Sequence, residues 1–248
     1  MSDEEEGMLI SLRFYGLNRM TTRAEWEREV RTIFGRIATH KEEYVTEVEG
    51  TGILILPNVF SPAYFTDSGW FAKAVSNIVG KGKVLEIGTG TGVVALFCAK
   101  NGATVTATDI NPDAVRNAEL NFKENGISAE CHCGDMYEPI PQGERYDFIF
   151  WNHPFNRGEN PDEEMLLRSG FDYRYESLEK YFSGARERLN PSGKLLLGTG
   201  SYASLSDVER LAKKYGYAMH LSDKIDIPLT DGSTVKNDYR IYELMDVR

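Results

Sequence analysis

The amino-acid sequence predicts a doubly wound α/β fold, with a mostly parallel sheet and helices on both of its faces. From residue 83 onward, short apolar runs alternate with segments of helical periodicity, which is the pattern of a parallel sheet. The first of these strands leads directly into a glycine-rich turn at residues 88–92. The last two predicted strands have no helix between them, so one of the two is expected to run antiparallel.

The elements of the predicted sheet follow from short apolar runs and helix-end signals. Its seven strands are Lys83–Ile87, Thr104–Thr108, Ile127–Cys131, Tyr146–Trp151, Lys194–Thr199, Tyr217–Ile227 and Tyr239–Met245. Between them the sequence predicts a helix over Val93–Lys100 and one that Asn111 and Pro112 begin and Gly126 ends. A third helix has Leu178, Tyr181, Phe182, Ala185 and Leu189 on its inner face, and a capping box at Ser206–Glu209 begins a fourth.

The segment before the sheet is predicted to add a small extension. Residues 1–6 form an acidic tail, and a capping box at Thr22–Glu25 begins a helix whose apolar face carries Trp26, Val30, Ile33, Phe34 and Ile37. Two short strands around Gly50-Thr51-Gly52 predict a β-hairpin, and a helix follows near Trp70–Val79. We therefore expect residues 1–56 to cap the substrate side of a main domain formed by residues 57–248.

Composition restricts the class of protein. The 248 residues carry a net charge of −10, which argues against nucleic acid as a partner because affinity for phosphate backbones comes from Lys and Arg. No apolar run approaches a membrane span, and three cysteines without a signal peptide favour the cytoplasm. The tripeptide Cys131-His132-Cys133 lacks the spacing of a zinc site, so no metal is expected.

Acidic residues and glycines lie where three successive strands are expected to end. Glu86 precedes the alternating glycines Gly88, Gly90 and Gly92, which permit positive φ angles and close approach of a ligand to the backbone. Asp109 ends the second strand, where a carboxylate can accept hydrogen bonds from ribose hydroxyls. Asp135 follows the third strand and could accept from an adenine amino group. Because parallel strands end at one edge, these residues are predicted to share a crevice.

The fourth strand ends in Asn152-His153-Pro154-Phe155, which completes a recognisable set. With the glycine turn, Asp109 and Asp135, this tetrapeptide resembles the class I methyltransferases that modify planar amide or exocyclic amino nitrogens, whose hallmark is N/D-P-P-Y/F. The stretch Val59–Thr66 is similar to the segment before the sheet in the release-factor (HemK-like) protein-glutamine methyltransferases. The resemblance covers roughly residues 44–245 and implies a Rossmann-like seven-stranded fold with S-adenosylmethionine as cofactor.

The resemblance also implies roles for individual residues. By this resemblance, the residues that bind the cofactor are Thr66, Glu86, Gly88, Thr89, Gly90, Gly92, Asp109, Ile110, Asp135, Met136 and Asn152. It assigns catalysis to Asn152, His153, Pro154 and Phe155: the Asn152 side-chain oxygen and the His153 main-chain carbonyl accept the hydrogens of a planar NH₂, and Phe155 stacks on it. The implied activity is N-methylation of a protein glutamine or a small molecule, with methylation of adenine or guanine in nucleic acid as the alternative.

Three questions stay open at this point. His153 replaces the first proline of the hallmark, and it either supplies only its carbonyl or serves as a base toward a small-molecule acceptor. The segment 156–176, which contains Arg157, Arg168, Tyr173 and Arg174, is either a substrate lid or a solvated loop. A dinucleotide-dependent oxidoreductase and a non-catalytic binding protein are further alternatives, although the G-x-G-x-G spacing disfavours the former.

Overall fold

The computed structural model describes residues 22–233 and 236–248, so the predicted acidic tail lies outside the described residues. The N-terminal elements are α1 (Arg23–Ile37), β1 (Tyr44–Val48), β2 (Thr51–Ile55) and α2 (Asp67–Val79). Next come β3 (Lys83–Ile87), α3 (Val93–Lys100), β4 (Thr104–Asp109), α4 (Pro112–Glu124), β5 (Glu130–Cys133) and β6 (Tyr146–Asn152). The chain continues with β7 (Asn156–Gly158), α5 (Met165–Arg168), β8 (Phe171–Tyr173), α6 (Glu176–Arg188), β9 (Leu189–Gly200), α7 (Leu205–Lys214), β10 (Tyr217–Pro228) and β11 (Lys236–Asp246).

Seven strands form the central sheet in the order β10-β11-β9-β6-β3-β4-β5. Strand β3 is parallel to β4 and β6, and β6 is parallel to β9, whereas β11 is antiparallel to both β9 and β10. The predicted Rossmann-like, mostly parallel sheet with one reversed strand is therefore confirmed. The chain leaves β3 toward β4 and later returns to β6 on the other side, which places a topological switch point between β3 and β6. Ligands of open α/β sheets bind at such a point.

The third strand begins later than the sequence indicates. The prediction covers Ile127–Cys131, whereas β5 covers Glu130–Cys133. The reason lies in how α4 ends: Gly126 has a φ of 66°, and the Ile127 N–H donates to the Phe122 carbonyl at 2.8 Å. This is a Schellman ending, in which the residue after the glycine still belongs to the helix cap.

Two helix predictions in the C-terminal half are wrong in detail. Helix α7 begins at Leu205 with Ser204 as its N-cap, so no capping box begins at Ser206; the Ser204 hydroxyl instead donates to the Asp207 carboxylate at 2.8 Å. Leu189 belongs to β9 rather than to the inner face of α6, because its backbone is extended and pairs with Tyr146. The buried face of α6 otherwise matches the prediction.

Helix α1 and the hairpin β1–β2 pack on different parts of the molecule. The capping box at Thr22 is present, and the five predicted apolar residues of α1 are all buried. They pack with Phe65, Leu166, Phe171 and Leu229. The hairpin instead contributes Val48, Ile53 and Ile55 to the main core beneath the sheet. Within the described part of the chain, no helix has the length and apolar character needed to cross a membrane.

Two asparagines attach the hairpin to α4 and, through Thr91, to the glycine turn. The Asn121 side chain accepts from the Leu54 N–H at 2.8 Å and donates to the carbonyls of Leu54 and Thr91 at 2.9 and 2.8 Å. One turn earlier, Asn117 accepts from the Leu56 N–H at 2.8 Å. Asn121 is 1% exposed. Its side chain therefore provides the hydrogen bonds that backbone groups of β2 and of the glycine turn would otherwise form with water.

We expect Asn121→Ala to lower the free energy of unfolding by about 2 kcal/mol or more, because it leaves buried backbone groups without partners. Urea unfolding followed by circular dichroism measures the change. Arg116→Ala on the exposed face of the same helix is the control and should stay within about 0.5 kcal/mol of the parent. An Asn121→Ala protein as stable as this control would contradict the structural role.

Candidate functional site

A cavity of about 400 Å³ opens at the carboxyl ends of β3, β4, β5 and β6. Its floor is the glycine turn and the strand ends, and α1 and the segment 156–176 lie over it. The predicted site residues that line it are Glu86, Gly88, Thr89, Gly90, Asp109, Ile110, Asp135, Met136, Asn152, His153, Pro154 and Phe155. The fold therefore brings together all but two of the predicted residues.

The glycines of the turn between β3 and α3 have different tasks. Gly88, Gly90 and Gly92 have φ angles of 62°, 57° and 81°. A Cβ at Gly88 would lie 2.8 Å from Nε1 of Trp151, whereas a Cβ at Gly90 would meet no atom within 4 Å. Gly90 therefore leaves free space in the cavity for a ligand at the backbone.

Gly92 is not among the residues that line the cavity, so its contact with the cofactor stays a prediction of the resemblance. It is the N-cap of α3, and a Cβ there would lie 2.9 Å from the Cβ of Ala118. The absence of a side chain at residue 92 thus allows α3 and α4 to pack closely.

Glu86 fixes the turn from below. Its carboxylate accepts from the Thr89 hydroxyl at 2.6 Å and from the Ala95 N–H at 3.1 Å. Burial raises the pKa of Glu86 from 4.5 to about 8, although both hydrogen bonds favour the charged form. Its position at the start of α3 also suits a carboxylate, because free N–H groups point from the first turn of a helix.

Asp109 holds the other side of the turn. One carboxylate oxygen accepts from the Gly90 N–H at 2.9 Å and the other accepts from the Asn111 N–H at 2.9 Å. Burial raises the pKa of Asp109, while these hydrogen bonds lower it. Asn111 caps α4 by accepting from the Asp113 N–H, so Asp109 is not needed as a helix cap. A carboxylate oxygen can accept more than one hydrogen bond, so Asp109 can also bind a diol.

Asp135 and Met136 close the cavity beyond β5. The Asp135 carboxylate forms an ion pair with the ammonium of Lys180 on α6, a partner that the sequence did not indicate. Met136 has a φ of 51°, and its carbonyl lies 3.4 Å from the hydroxyl of Thr108, which donates to it. The third strand end therefore presents a paired carboxylate rather than a free one.

The tetrapeptide after β6 is buried along the cavity. The Oδ1 atom of Asn152 is buried and has no hydrogen-bond partner among the described residues. A Cβ at Gly198 on the neighbouring strand would lie 2.9 Å from this oxygen, so the glycine gives the Asn152 side chain its room. The Phe155 ring lies along the same wall, 5.9 Å from the ring of Tyr239.

His153 is a neutral, buried residue. Its side chain is enclosed by the rings of Trp151, Phe155 and Tyr175, and its Nε2 lies 2.8 Å from the Thr199 hydroxyl. Burial lowers the pKa of His153 from 6.5 to about 3. Such an imidazole is a weak base near neutral pH, which favours the main-chain carbonyl as the contribution of this residue.

Thr66 lies outside the cavity lining, so its place beside the cofactor stays a prediction of the resemblance. Its hydroxyl donates to the Pro228 carbonyl, and its N–H donates to the Leu229 carbonyl. The next two residues, Asp67 and Ser68, line the cavity instead. The helix α2 starts at Asp67, so its first turn, rather than the residue before it, faces the site.

The segment 156–176 is an ordered cover and not a solvated loop. It contains β7, α5 and β8, and Asn156 joins it to its surroundings. The Asn156 side chain accepts from Nε1 of Trp26 on α1 at 3.0 Å and donates to the Gly170 carbonyl at 2.9 Å. Arg168 and Tyr173 line the cavity, whereas Arg157 and Arg174 lie outside the lining and pair with Glu159.

Sequence reasoning missed several lining residues. Asp67 and Tyr239 are buried in the wall near Asn152, and Lys180 and Trp26 lie at its edges. Only Trp26 gave a signal, as part of the apolar face of α1. The other three come from elements whose contact with the site depends on tertiary packing.

The pH dependence of stability tests the environment of Glu86. The pKa of Glu86 is about 8 in the folded protein and 4.5 in an unfolded chain. Between pH 4.5 and pH 8, therefore, Glu86 is largely protonated in the folded state and largely ionised in the unfolded state. The free energy of unfolding should therefore fall as the pH rises from about 5 to 8. We expect Glu86→Gln to flatten this slope in urea titrations, whereas exposed Glu187→Gln should leave it unchanged. An equal slope in both variants would contradict the assigned burial effect.

Comparison with known proteins identifies the family. A family model described as the methyltransferase small domain matches residues 50–223. The chain is 28% identical over 192 residues to a Methanocaldococcus jannaschii protein provisionally named as a protein N5-glutamine methyltransferase, covering 75% of this chain and 95% of that protein. It is 29% identical over 166 residues to ribosomal RNA small subunit methyltransferase C of Haemophilus influenzae, covering 66% of this chain and 46% of the relative. The chain thus spans about half the length of this ribosomal RNA relative.

A solved structure shows the same fold. The 16S rRNA N2 G1207 methyltransferase of T. thermophilus, in complex with AdoMet and guanosine, superposes with a TM-score of 0.56 at 20% identity, over 82% of this chain and 50% of that one. The family match confirms the resemblance drawn from the motifs and decides against a dinucleotide-dependent oxidoreductase. The chain belongs to the methyltransferase small-domain family and is an S-adenosylmethionine-dependent methyltransferase.

Proposed function

We propose that this methyltransferase transfers the methyl group to a planar amide or amino nitrogen of a protein glutamine or a small molecule. The observation that carries the proposal is the buried, unpartnered Oδ1 of Asn152 in the same cavity as the glycine turn and Asp109. A buried acceptor without a partner is expensive, and the hydrogens of an acceptor nitrogen would satisfy it.

The residues present fit the cofactor. The space at Gly90 admits a ligand beside the backbone, and the Asp109 carboxylate lies next to it, placed to accept from ribose hydroxyls. Ser68 and Met136 also line the cavity. S-adenosylmethionine, when bound, supplies an electrophilic methyl group on a positively charged sulfur, so no metal is needed for the transfer.

The chain's own contribution to transfer is positioning. Asn152 Oδ1 and the His153 carbonyl would each accept one hydrogen of the NH₂ group, and Phe155 would hold its plane. Fixing two reactants in a productive geometry lowers a barrier by about 7–11 kcal/mol in favourable cases. The low pKa of His153, about 3, supports this role over that of a base, because an imidazole that is hard to protonate accepts a proton poorly.

Nucleic acid is the second candidate acceptor, since some relatives are named as ribosomal RNA methyltransferases. The charge of the cavity argues against it. Apart from Glu86, which its raised pKa keeps largely neutral at pH 7, six acidic residues line it (Asp67, Asp109, Asp135, Glu163, Asp172 and Glu176), against two basic ones, Arg168 and Lys180. Lys180 is already paired with Asp135. An RNA acceptor would give binding that weakens steeply with salt, whereas a small neutral or cationic acceptor would not.

Asp109 provides the test of the cofactor site. We expect Asp109→Ala to abolish S-adenosylmethionine binding in isothermal titration, because it removes both a ligand acceptor and a support of the glycine turn. Asp113→Ala, at the start of α4 and outside the cavity lining, should bind as the parent protein does. Equal affinities in the two variants would refute the assigned cofactor contact.

Asn152 provides the test of the acceptor site. We expect Asn152→Ala to lower turnover at saturating cofactor by about 10²-fold, comparable to the loss of one positioned polar group in other active sites. Transfer of a tritiated methyl group to glutamine peptides and amines measures turnover on whichever acceptor the parent enzyme uses. Asn125→Ala, outside the cavity, is the control. Full turnover by Asn152→Ala would remove this residue from the mechanism.

A further inference from the structure

Buried polar atoms without partners are concentrated around one part of the cavity. Among the described residues they include Asp67 Oδ1, Asn152 Oδ1, His153 Nδ1 and the Tyr239 hydroxyl, all in cavity-lining residues. Native proteins leave few such groups, and each one calls for an explanation. The two side-chain oxygens of Asp67 and Asn152 accept hydrogen bonds, so a ligand with hydrogen-bond donors would complete this part of the site.

Asp67 is the charged member of this cluster. It is the first residue of α2 and is 4% exposed. Its carboxylate is hydrogen-bonded to the Asn152 side chain and to the Ser68 N–H, but Oδ1 has no partner. Burial raises the pKa of Asp67 to about 6, so the group is still largely ionised above neutral pH. Among the side chains of residues 22–233 and 237–248, no Lys, Arg or His forms an ion pair with it.

Tyr239 brings a second group from the far end of the chain. It lies on β11, beyond the residues that match the family model. Its ring packs 6.0 Å from Phe71 and 5.9 Å from Phe155, and the negative charge of Asp67 contributes to its raised pKa. Tyr239 and Asp67 both line the cavity, so a ligand bound there is placed to meet both groups.

Counting donors distinguishes two classes of acceptor. The amide NH₂ of a glutamine offers two hydrogens, which Asn152 Oδ1 and the His153 carbonyl would use, and it would leave the Asp67 carboxylate buried and unpaired. An unpaired buried charge costs several kcal/mol. A primary ammonium group offers three hydrogens and a positive charge, so it satisfies all three acceptors and neutralises the carboxylate.

We propose that the methyl acceptor is a primary amine on an apolar body, bound as its ammonium ion by Asp67 and Asn152 with Tyr239 beside them. This inference rests on the proposed transfer of a methyl group to nitrogen, and it replaces the planar nitrogen of that proposal by the tetrahedral nitrogen of an alkylamine. The rings of Phe34, Phe60 and Phe65 line the cavity on the same side, where they would hold the apolar body. The acidic lining of the cavity favours a cation in the same way.

The proton balance of the transfer follows from this arrangement. Asp67 Oδ1 accepts one proton from the ammonium group, and the neutral amine then reorients so that its lone pair faces the methyl carbon while its two remaining hydrogens stay bonded to protein acceptors. That pair forms the bond to the methyl carbon while the carbon–sulfur bond breaks and sulfur keeps its electrons. The product is a methylated ammonium ion, and Asp67 returns its proton to solvent.

The test uses 2-phenylethylamine and its neutral counterpart 2-phenylacetamide, titrated into the full chain at pH 8 with saturating S-adenosylhomocysteine. We expect the parent protein to bind the amine at least about tenfold more tightly than the amide. Asp67→Asn should weaken amine binding by at least about tenfold, since it breaks a buried charge pair. Tyr239→Phe, which removes only the hydroxyl, should weaken it less. Asp162→Asn, with the same loss of charge in an exposed loop, is the matched control.

Titration of S-adenosylhomocysteine alone verifies that each variant is folded and keeps its cofactor site. Amide binding equal to or tighter than amine binding, or no binding of either probe by the parent, would overturn the inference. So would an Asp67→Asn protein that binds the amine like Asp162→Asn. Methyl transfer to a glutamine peptide alone would overturn it while supporting the proposed function, whereas no cofactor binding in any protein would overturn the proposed function itself.

Discussion

The buried carboxylate of Glu86 fixes the geometry on which the cofactor side of the site depends. It bonds the hydroxyl of Thr89 and the N–H of Ala95, and so joins the end of β3, the glycine turn and the first residues of α3. Asp109 holds the same turn from β4 through the Gly90 N–H. Because two carboxylates from neighbouring strands hold one short turn, the positive φ of Gly90 is imposed by its surroundings, and the space beside its backbone stays open.

The two sides of the cavity differ in how their polar groups are satisfied. Glu86, Asp109 and Asp135 each have partners within the protein, so the cofactor side is complete before any ligand binds. On the acceptor side, Asp67 and Asn152 each keep an oxygen without a partner. An unsatisfied buried group costs about 1–3 kcal/mol, and the stability of the rest of the fold offsets this cost. Binding of a ligand that donates the missing hydrogen bonds recovers that energy. These two groups therefore favour ligands that carry hydrogen-bond donors over ligands that do not.

The parts of the structure that the sequence predicts well are those set by neighbouring residues. Strand β3, the glycine turn and Asn152 follow from local patterns, because parallel strands end at a common edge whatever packs on them. Local patterns do not decide whether Thr66 or its neighbours Asp67 and Ser68 face the cavity, because the orientation of the first turn of α2 sets it. Asp67 and Tyr239 were missed altogether. These two residues reach the cavity only because the start of α2 and the last strand pack near the end of β6 in the folded protein. No local sequence pattern indicates that packing.

The cover of the proposed acceptor side is joined across distant parts of the chain. Trp26 on α1 donates to Asn156 at 3.0 Å and stacks on Tyr202 with ring centroids 4.3 Å apart, so α1, β7 and the loop after β9 form one assembly. Helix α1 and β11 lie outside the residues that match the family model, residues 50–223, which include the glycine turn and Asn152. Changes in these outer elements alter the shape and charge around the acceptor nitrogen without disturbing the turn that Glu86 and Asp109 hold. Substitutions in α1 and β11 can therefore change which acceptor binds, whereas the glycine turn and its two carboxylates stay the same.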